Sequence, residues 1–402
     1  MESEKSLDRK KIFSAAMFGF TGLFVLVFSI ITGKSYEMIL RNTITACMIA
    51  GTVAFMFSDA MNMGKEGFSY DNFYKPYRFF VSYMGMVVLS CLFSLVPNEF
   101  WPYMSLFVIL ALFSNSQMGL VTGMGFVMIS VMLEENGHYG EFFMYVLAGT
   151  VAILLLRDLK ESTNIGFPVF LSLLMQAVLL SAFNVLFQNR TLSLNLLILP
   201  VLNLMLNLII MLAFLNMFGV YIIRKSNDMY MEINDVEYPL LQELRAKDKE
   251  QYFKAVHTGY LAERIALGLG FNERAVKTCS YYHRIGAIDG KSKWADVEHY
   301  FLENSFPIEA MEFLHEYIEP KKGQVKSREA LAVRMSETVI ASIMYLIKKN
   351  KDVKIDYDRL IDEIFNKRVE DGSLKEYAIT FAEYDRMKDI LKKEKLYYDF
   401  LR

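Results

Sequence analysis

The residues most informative about chemistry lie in one short segment of this 402-residue sequence, 281–286, which reads Tyr-Tyr-His-Arg-Ile-Gly. His283 can bind a metal ion or exchange a proton near neutral pH. Arg284 cannot ligate a metal, because its guanidinium stays protonated and has no acceptor atom. It is suited instead to bidentate contacts with phosphate. The pair predicts either a packed core histidine or a site that holds a phosphate group.

This segment resembles the Tyr-Tyr-His-Asp-Ile-Gly-Lys motif of HD-domain phosphohydrolases, with arginine in place of aspartate. The resemblance begins at Pro239-Leu240-Leu241, runs without a gap over 261–283, and includes 327–339 and 368–380. It covers essentially all of 226–402. The pattern is similar to that of the seven-transmembrane HD receptors, which include the membrane-bound cyclic-di-AMP phosphodiesterases of bacteria. Their large extracellular domain has no counterpart here, since only 33–37 is available after the first span.

The resemblance implies a metal centre that this chain has largely lost. The family holds two metal ions with several His and Asp side chains, and the metals polarise a phosphodiester and generate a hydroxide. Residues of other types stand at most of the matching positions: Lys254, Arg284, Ala287 and Tyr317-Ile318. The stretch that carries a further histidine is shortened between 289 and 298. His283 and Glu337 are the ligand-type residues that remain at family positions.

A two-metal site is disfavoured by charge. A unit charge pair at 4 Å is worth about 4 kcal/mol at an effective dielectric of 20, so Arg284 beside a dication costs roughly twice that. A single zinc held by His283, Glu337 and either His257 or His315 stays an alternative. We therefore predict that the protein binds no cofactor. If it is instead an active phosphohydrolase, it should require a divalent metal such as manganese or iron. Lys254, His283 and Arg284 are the predicted phosphate-binding residues. The alternative is that Arg284 and Lys254 are solvated or paired with Glu337 and bind no ligand.

Composition divides the chain into two parts. It is 53% hydrophobic with a formal charge of −2, and the apolar runs lie in 12–223, whereas most charged residues lie in 224–402. This predicts an all-α protein: a polytopic membrane bundle at 1–225 followed by an all-helical HD-like domain at 226–402. The near-zero charge gives no reason to expect nucleic-acid binding. The three cysteines imply neither a disulfide framework nor a metal site.

Apolar runs predict eight membrane spans, with a polar patch at 114–117 separating the fourth from the fifth. A single kinked helix at that patch would give seven spans. The predicted spans are 12–32, 39–58, 77–96, 100–115, 116–133, 141–156, 166–188 and 194–223.

Basic residues in the loops predict the orientation. Eleven lie on one side of the eight-span arrangement and three, Lys34, Arg41 and Arg190, on the other. By the positive-inside rule, both termini and the HD-like domain face the cytoplasm of a multi-pass cell-membrane protein. The eleven are Lys5, Arg9, Lys10, Lys11, Lys65, Lys75, Arg78, Arg157, Lys160, Arg224 and Lys225.

The spans carry almost no ionisable residues, so we interpret their Asn, Gln, Ser and Thr side chains as interhelical hydrogen-bonding groups and not as a substrate path. In 226–402, amphipathic patterns predict helices, and no strand is indicated. The predicted helices are 240–247, 250–269, 272–284, 307–317, 327–348, 357–367 and 381–394.

Three functions follow from these residues. The leading hypothesis is a catalytically inactive relative of the membrane cyclic-di-AMP phosphodiesterases, which regulates by binding a cyclic dinucleotide or a cytoplasmic protein. The first alternative is an active metal-dependent phosphohydrolase with a rebuilt site. The second is a transporter or channel with a regulatory cytoplasmic domain, which the scarcity of intramembrane charge disfavours.

Overall fold

The computed structural model describes residues 2–134, 139–159, 164–186, 194–320, 325–350 and 354–401. Within them the chain is helical apart from turns and short links, and extended segments pair at one isolated β-bridge, Lys326 with Tyr377. The all-α prediction is confirmed. The chain forms two compact units, Met1–Arg224 and Lys225–Arg402. Lys160, Arg190 and the end of the predicted 166–188 span lie outside the described residues.

The first unit contains eight described α-helices. They are α1 Glu2–Ile31, α2 Tyr36–Met63, α3 Tyr77–Phe93, α4 Tyr103–Phe113, α5 Ser116–Leu133, α6 Tyr139–Leu156, α7 Gly166–Leu186 and α8 Leu194–Phe218. A π-helical turn, Gly219–Arg224, follows α8.

Six helices in the described residues are long and apolar enough to cross a membrane. Five coincide with predicted spans, and the sixth, Arg328–Lys349, lies in the second unit. The predicted spans at 77–96, 100–115 and 141–156 correspond to shorter apolar helices. The 11 residues of α4 rise about 16 Å, roughly half of a hydrocarbon core. The 100–115 span is thus helical over only part of its length, because Pro102 restricts Trp101 to an extended conformation.

The polar patch at 114–117 does separate two helices. α4 ends at Phe113, and Asn115 caps the start of α5 by accepting a hydrogen bond from the Met118 backbone N–H at 2.8 Å. The Asn115 amide also donates to the Gly67 carbonyl at 2.7 Å. The predicted break is therefore correct, and a single kinked helix over this region is excluded.

Contacts between loops group the ends of the membrane helices. The link between α4 and α5 meets the loop after α2 through Asn115, and Tyr70 of that loop accepts from the Leu159 N–H, just after α6, at 2.8 Å. At the other ends of these helices, Arg41 near the start of α2 donates to the Met132 carbonyl near the end of α5 at 3.2 Å. This grouping is what eight alternating helices require, while the side that faces the cytoplasm stays a prediction.

Amide side chains join helices inside the first unit. Asn207 of α8 accepts a hydrogen bond from the backbone N–H of Ser105, in the first turn of α4, at 2.9 Å. Asn203 donates to the Trp101 carbonyl at 2.7 Å and accepts from Gln176 of α7 at 2.5 Å. All three amides are buried. They act as the interhelical hydrogen-bonding groups that the sequence predicts.

The second unit contains ten described α-helices. They are α9 Lys225–Ile233, α10 Pro239–Lys247, α11 Lys249–Leu269, α12 Glu273–Tyr282, α13 Trp294–Glu303, α14 Ile308–Ile318, α15 Arg328–Lys349, α16 Tyr357–Glu370, α17 Phe381–Lys393 and α18 Lys395–Asp399.

The second unit has its own apolar core. Residues of α11, α12 and α15 are buried in it, among them Leu261, Val276 and Ile340. This burial, with the charged first half of α15, explains why that apolar helix is a core element of this unit. All seven predicted helices are present, but α9, α13 and α18 were not predicted. The 272–284 prediction ran too far, because α12 ends at Tyr282.

Candidate functional site

His283 and Arg284 lie just beyond the end of a firmly anchored helix. α12 begins after Asn272, whose side chain caps the helix by accepting a hydrogen bond from the Ala275 N–H at 3.1 Å. Its last residue, Tyr282, is buried and donates to the Ile233 carbonyl at 2.6 Å. Because both ends of α12 are fixed, the two residues that follow it have a defined position.

A tight turn follows these two residues. After the 3₁₀ turn Ile285–Ile288, the Lys291 N–H donates to the Gly286 carbonyl at 2.8 Å. A Cβ atom added at Gly286 would lie 2.2 Å from the Lys291 carbonyl oxygen, which is a clash with backbone. Position 286 therefore requires glycine, and the turn brings Lys291 back towards Arg284.

Glu337 of α15 is the centre of the site. Its side chain is 8% exposed, and its carboxylate accepts hydrogen bonds from Arg284, Tyr317 and Arg334. The distance from Glu337 Oε1 to the Arg284 Nε is 3.0 Å, and that from Oε2 to the Arg334 Nη1 is 3.3 Å. Arg284 also donates from Nη1 to the Gln251 side chain at 2.8 Å. The buried carboxylate is thus neutralised by two arginines, as buried charges require.

His283 has protein partners on both ring nitrogens. Nδ1 lies 2.9 Å from the Ser280 carbonyl oxygen and 3.1 Å from that of Cys279. Carbonyls only accept, so Nδ1 carries a proton. Nε2 lies 3.2 Å from the Arg284 Nε and 3.3 Å from Glu337 Oε1. A neutral ring accepts from Arg284, and a protonated ring donates to Glu337, so Nε2 is engaged in either state.

These contacts shift the protonation of two groups. Burial by itself would raise the pKa of Glu337, but the hydrogen bond and charge of His283, the Tyr317 hydroxyl and the Arg284 charge outweigh it and hold that pKa far below its ordinary value. Burial and the adjacent Glu337 carboxylate raise the pKa of Tyr317 well above its ordinary value. Near neutral pH, Glu337 is therefore an anion and Tyr317 is a neutral donor.

A cavity of about 330 Å³ opens beside these residues. Six positions that the sequence resemblance singles out line it together: His283, Arg284, Ala287, Tyr317, Ile318 and Glu337. Gln251, Lys291 and Arg334 also line it. Three of the lining side chains, Arg284, Lys291 and Arg334, are cationic near neutral pH, and Glu337 is the single carboxylate.

The other candidate residues from the sequence lie elsewhere. Lys254 is not among the residues that line the cavity, and its ammonium pairs with Glu250 at 2.8 Å. The His257 Nδ1 lies 2.6 Å from the Tyr397 hydroxyl, and burial lowers the pKa of this histidine. His315 stacks on Trp294, with 4.6 Å between ring centroids. Neither histidine shares the contacts that join His283 to Glu337.

The donor set does not fit the metals that the resemblance implies. In the described part of the chain, no three His, Cys, Asp or Glu side chains come together as a possible metal site. Arg284 donates to both groups that could ligate, His283 and Glu337. A dication there would displace these hydrogen bonds and face two guanidinium groups. The alternative zinc site through His257 or His315 is not assembled.

Three residues that line the cavity were not predicted from the sequence. Arg334 lies three residues before Glu337 on the same helix, a spacing that places both on one face and would have revealed the pair. Gln251 likewise lies near the predicted start of α11. No sequence pattern places Lys291 near Arg284. It reaches the cavity because the turn at Gly286 folds the chain back.

Comparisons with known proteins find similarity among solved structures. No family model and no curated protein matches the chain. Among solved structures, it is similar to the HD domain of the L. monocytogenes phosphodiesterase PgpH, at 18% identity and a TM-score of 0.32, over 41% of this chain and 100% of that chain. The same domain in complex with cyclic-di-AMP matches at 18% identity and a TM-score of 0.32, over 40% and 97% of the two chains. At this level the similarity assigns neither an activity nor a ligand.

Proposed function

We propose that this protein is a membrane-bound regulator whose second unit binds a phosphate-bearing ligand without hydrolysing it. The observation that carries the proposal is the charge of the cavity beside His283, where Arg284, Lys291 and Arg334 face the single carboxylate of Glu337. An excess of positive charge in a partly enclosed site favours an anion. Two arginines can hold phosphate oxygens in the bidentate geometry that suits a guanidinium.

In the protein without ligand, the Glu337 carboxylate binds the donors that would otherwise bind a phosphate. Its carboxylate already accepts from Arg284, Tyr317 and Arg334, which are the donors that phosphate oxygens need. A phosphate that enters the cavity therefore competes with Glu337 for existing donors. The Arg284 side chain is 33% exposed and can be reached from solvent.

Binding without hydrolysis follows from the residue types. Two-metal hydrolysis requires ligands that hold dications against the phosphate, and Arg284, Tyr317 and Ile318 stand where the resemblance places such ligands. The charges that stabilise the phosphate are thus carried by the protein. They bind it in place but generate no hydroxide.

Cyclic-di-AMP is the first ligand to test, because the sequence resemblance is to membrane cyclic-di-AMP phosphodiesterases. A partner protein is the second candidate, and it becomes the preferred one if no nucleotide binds. The first unit would serve as the membrane anchor of the regulator.

The test is calorimetric titration of the full-length protein in lipid nanodiscs with cyclic-di-AMP. Arg284→Ala should weaken binding about tenfold to a hundredfold, since a charge-assisted hydrogen bond is worth roughly 1.5–3 kcal/mol. Arg284→Asp should weaken it further by repelling the phosphate. Lys254→Ala should lose less, because Lys254 must first leave Glu250.

Arg264→Ala is the matched control, since this arginine is half exposed on α11 and does not line the cavity. Its affinity should equal that of the parent protein. If Arg284→Asp binds as well as the parent, the cavity does not hold the phosphate and the proposal fails.

A further inference from the structure

Arg334 and Glu337 also line a second, larger cavity of about 540 Å³. Its remaining walls come from later turns of α15 and from α16, and they include Ser342, Tyr345 and Arg368. Apart from Glu337, no position that the sequence resemblance assigns to metal binding lines this cavity. The family resemblance therefore predicts no ligand for this cavity.

One end of this cavity is cationic and hydroxylated. Arg334, Thr338 and Ser342 follow one another at four-residue spacing, so they form a continuous strip along one face of α15. Arg368 of α16 adds a second guanidinium. Among the described residues, no carboxylate lies within ion-pair distance of Arg368, and its guanidinium makes one long hydrogen bond, 3.5 Å from Nη1 to the Ser373 hydroxyl.

Arg368 is nevertheless not far from negative charge. Hydrogen bonds from Ser373 are the main cause that lowers the pKa of the exposed Asp371, and the hydrogen bond from Lys326 is the main cause for the exposed Glu376; the charge of Arg368 adds a smaller lowering to both. Such exposed interactions are screened by water and salt. They leave the guanidinium donors of Arg368 free to bind a phosphate.

The other end of the cavity is aromatic and apolar. The Tyr345 ring is 65% exposed, one of the larger exposed apolar surfaces of this unit. Leu346 and Leu360 line the cavity beside it. An exposed aromatic ring above aliphatic side chains provides a stacking surface for a flat ring.

We propose that this second cavity is a separate binding site for a phosphate ester of an aromatic group, such as a nucleoside monophosphate. Arg368 and Arg334 bind the phosphate, the Ser342 hydroxyl donates to it, and the ring stacks on Tyr345. The site shares Arg334 and Glu337 with the first cavity but does not need a ligand there. This proposal does not depend on the proposed function of the first cavity.

The test is titration of the full-length protein in nanodiscs with AMP, and with adenosine and inorganic phosphate as the two halves of the probe. AMP should bind at least about tenfold more tightly than either half. Arg368→Ala should weaken AMP binding about tenfold to a hundredfold. Tyr345→Ala should weaken AMP about fivefold to a hundredfold by loss of stacking, and leave inorganic phosphate unchanged.

Two control variants isolate the cavity. Arg359→Ala removes an exposed arginine from the same helix as Arg368, one that pairs with Glu363, and should leave AMP affinity unchanged. Arg264→Ala removes a half-exposed arginine that lines neither cavity and should change AMP affinity by less than about twofold. Arg368→Lys should recover part of the loss, which excludes a folding defect as its cause.

The outcomes are distinguishable from those of the first proposal. AMP binding that depends on Arg284 and not on Arg368 would overturn this inference and place AMP in the first cavity. Failure of AMP to bind would also overturn it, while the cyclic-di-AMP titration would still stand as the test of the proposed function.

Discussion

Arg284 and Glu337 form an ion pair although the sequence resemblance would place a metal ion between such positions. The Arg284 Nε lies 3.0 Å from Glu337 Oε1, and a second hydrogen bond comes from Nη2 of the same guanidinium. An arginine at position 284 thus neutralises a buried carboxylate that a cation would otherwise have to neutralise. Arg284 thus supplies the charge that the buried Glu337 carboxylate needs.

Glu337→Gln should strengthen phosphate binding. In the parent protein, a phosphate must displace the Glu337 carboxylate from Arg284 and Arg334, whereas glutamine carries no competing charge. We expect the affinity for cyclic-di-AMP to rise about tenfold to a hundredfold, the value of one charge-assisted hydrogen bond. Equilibrium titration of the variant in nanodiscs measures this.

Glu363→Gln provides the control for that substitution. Glu363 lies on α16, is exposed and pairs with Arg359, so its loss should leave the affinity unchanged. An unaltered or reduced affinity in Glu337→Gln would mean that the carboxylate does not compete with the ligand.

The stability of the second unit should depend on pH through Glu337. Because its pKa is lower in the folded state than the ordinary value of 4.5, its ionised form stabilises the fold. That contribution is complete above the unfolded-state pKa and is lost as pH falls through the folded-state pKa. The difference in melting midpoint between the parent and Glu337→Gln should therefore shrink as pH is lowered from about 6 to about 3.

Tryptophan fluorescence can follow this melting selectively. The chain has two tryptophans, Trp101 in the first unit and Trp294 in the second, so a Trp101→Phe background leaves Trp294 as the reporter. A midpoint difference that stays constant over this pH range would show that folding does not lower the pKa of Glu337.

The orientation of the membrane unit is open to a direct test. We expect reporter fusions placed after Arg224 and at the N-terminus to score as cytoplasmic, because the basic residues are concentrated on that side. A fusion between α1 and α2, near Lys34, should score as extracellular. An extracellular score after Arg224 would contradict the eight-span arrangement.

Sequence reasoning succeeded where the signal was local. The start of the predicted 272–284 helix, the break at Ser114 and Asn115, and the start of the predicted 240–247 helix all depend on residues within one turn of the feature. It was less informative where the folded backbone decides which side chains meet. The family resemblance groups Lys254 with Arg284, whereas the structure pairs Lys254 with Glu250. Lys291 reaches the cavity only because Gly286 permits a tight turn.

The span lengths show the same limit. Hydropathy located every apolar helix of the first unit, but it could not show that α4 starts only at Tyr103. That start depends on Pro102 and on Asn207, which caps the helix from α8, about a hundred residues away.

The central claim, binding without hydrolysis, is tested most directly by following one labelled ligand. Full-length protein in nanodiscs is incubated with radiolabelled cyclic-di-AMP and manganese, the bound fraction is separated, and its nucleotide content is resolved. We expect intact cyclic-di-AMP to be recovered from the parent protein, whereas Arg284→Asp should retain little of the ligand. Manganese-dependent release of linear product that disappears in His283→Ala would contradict the account.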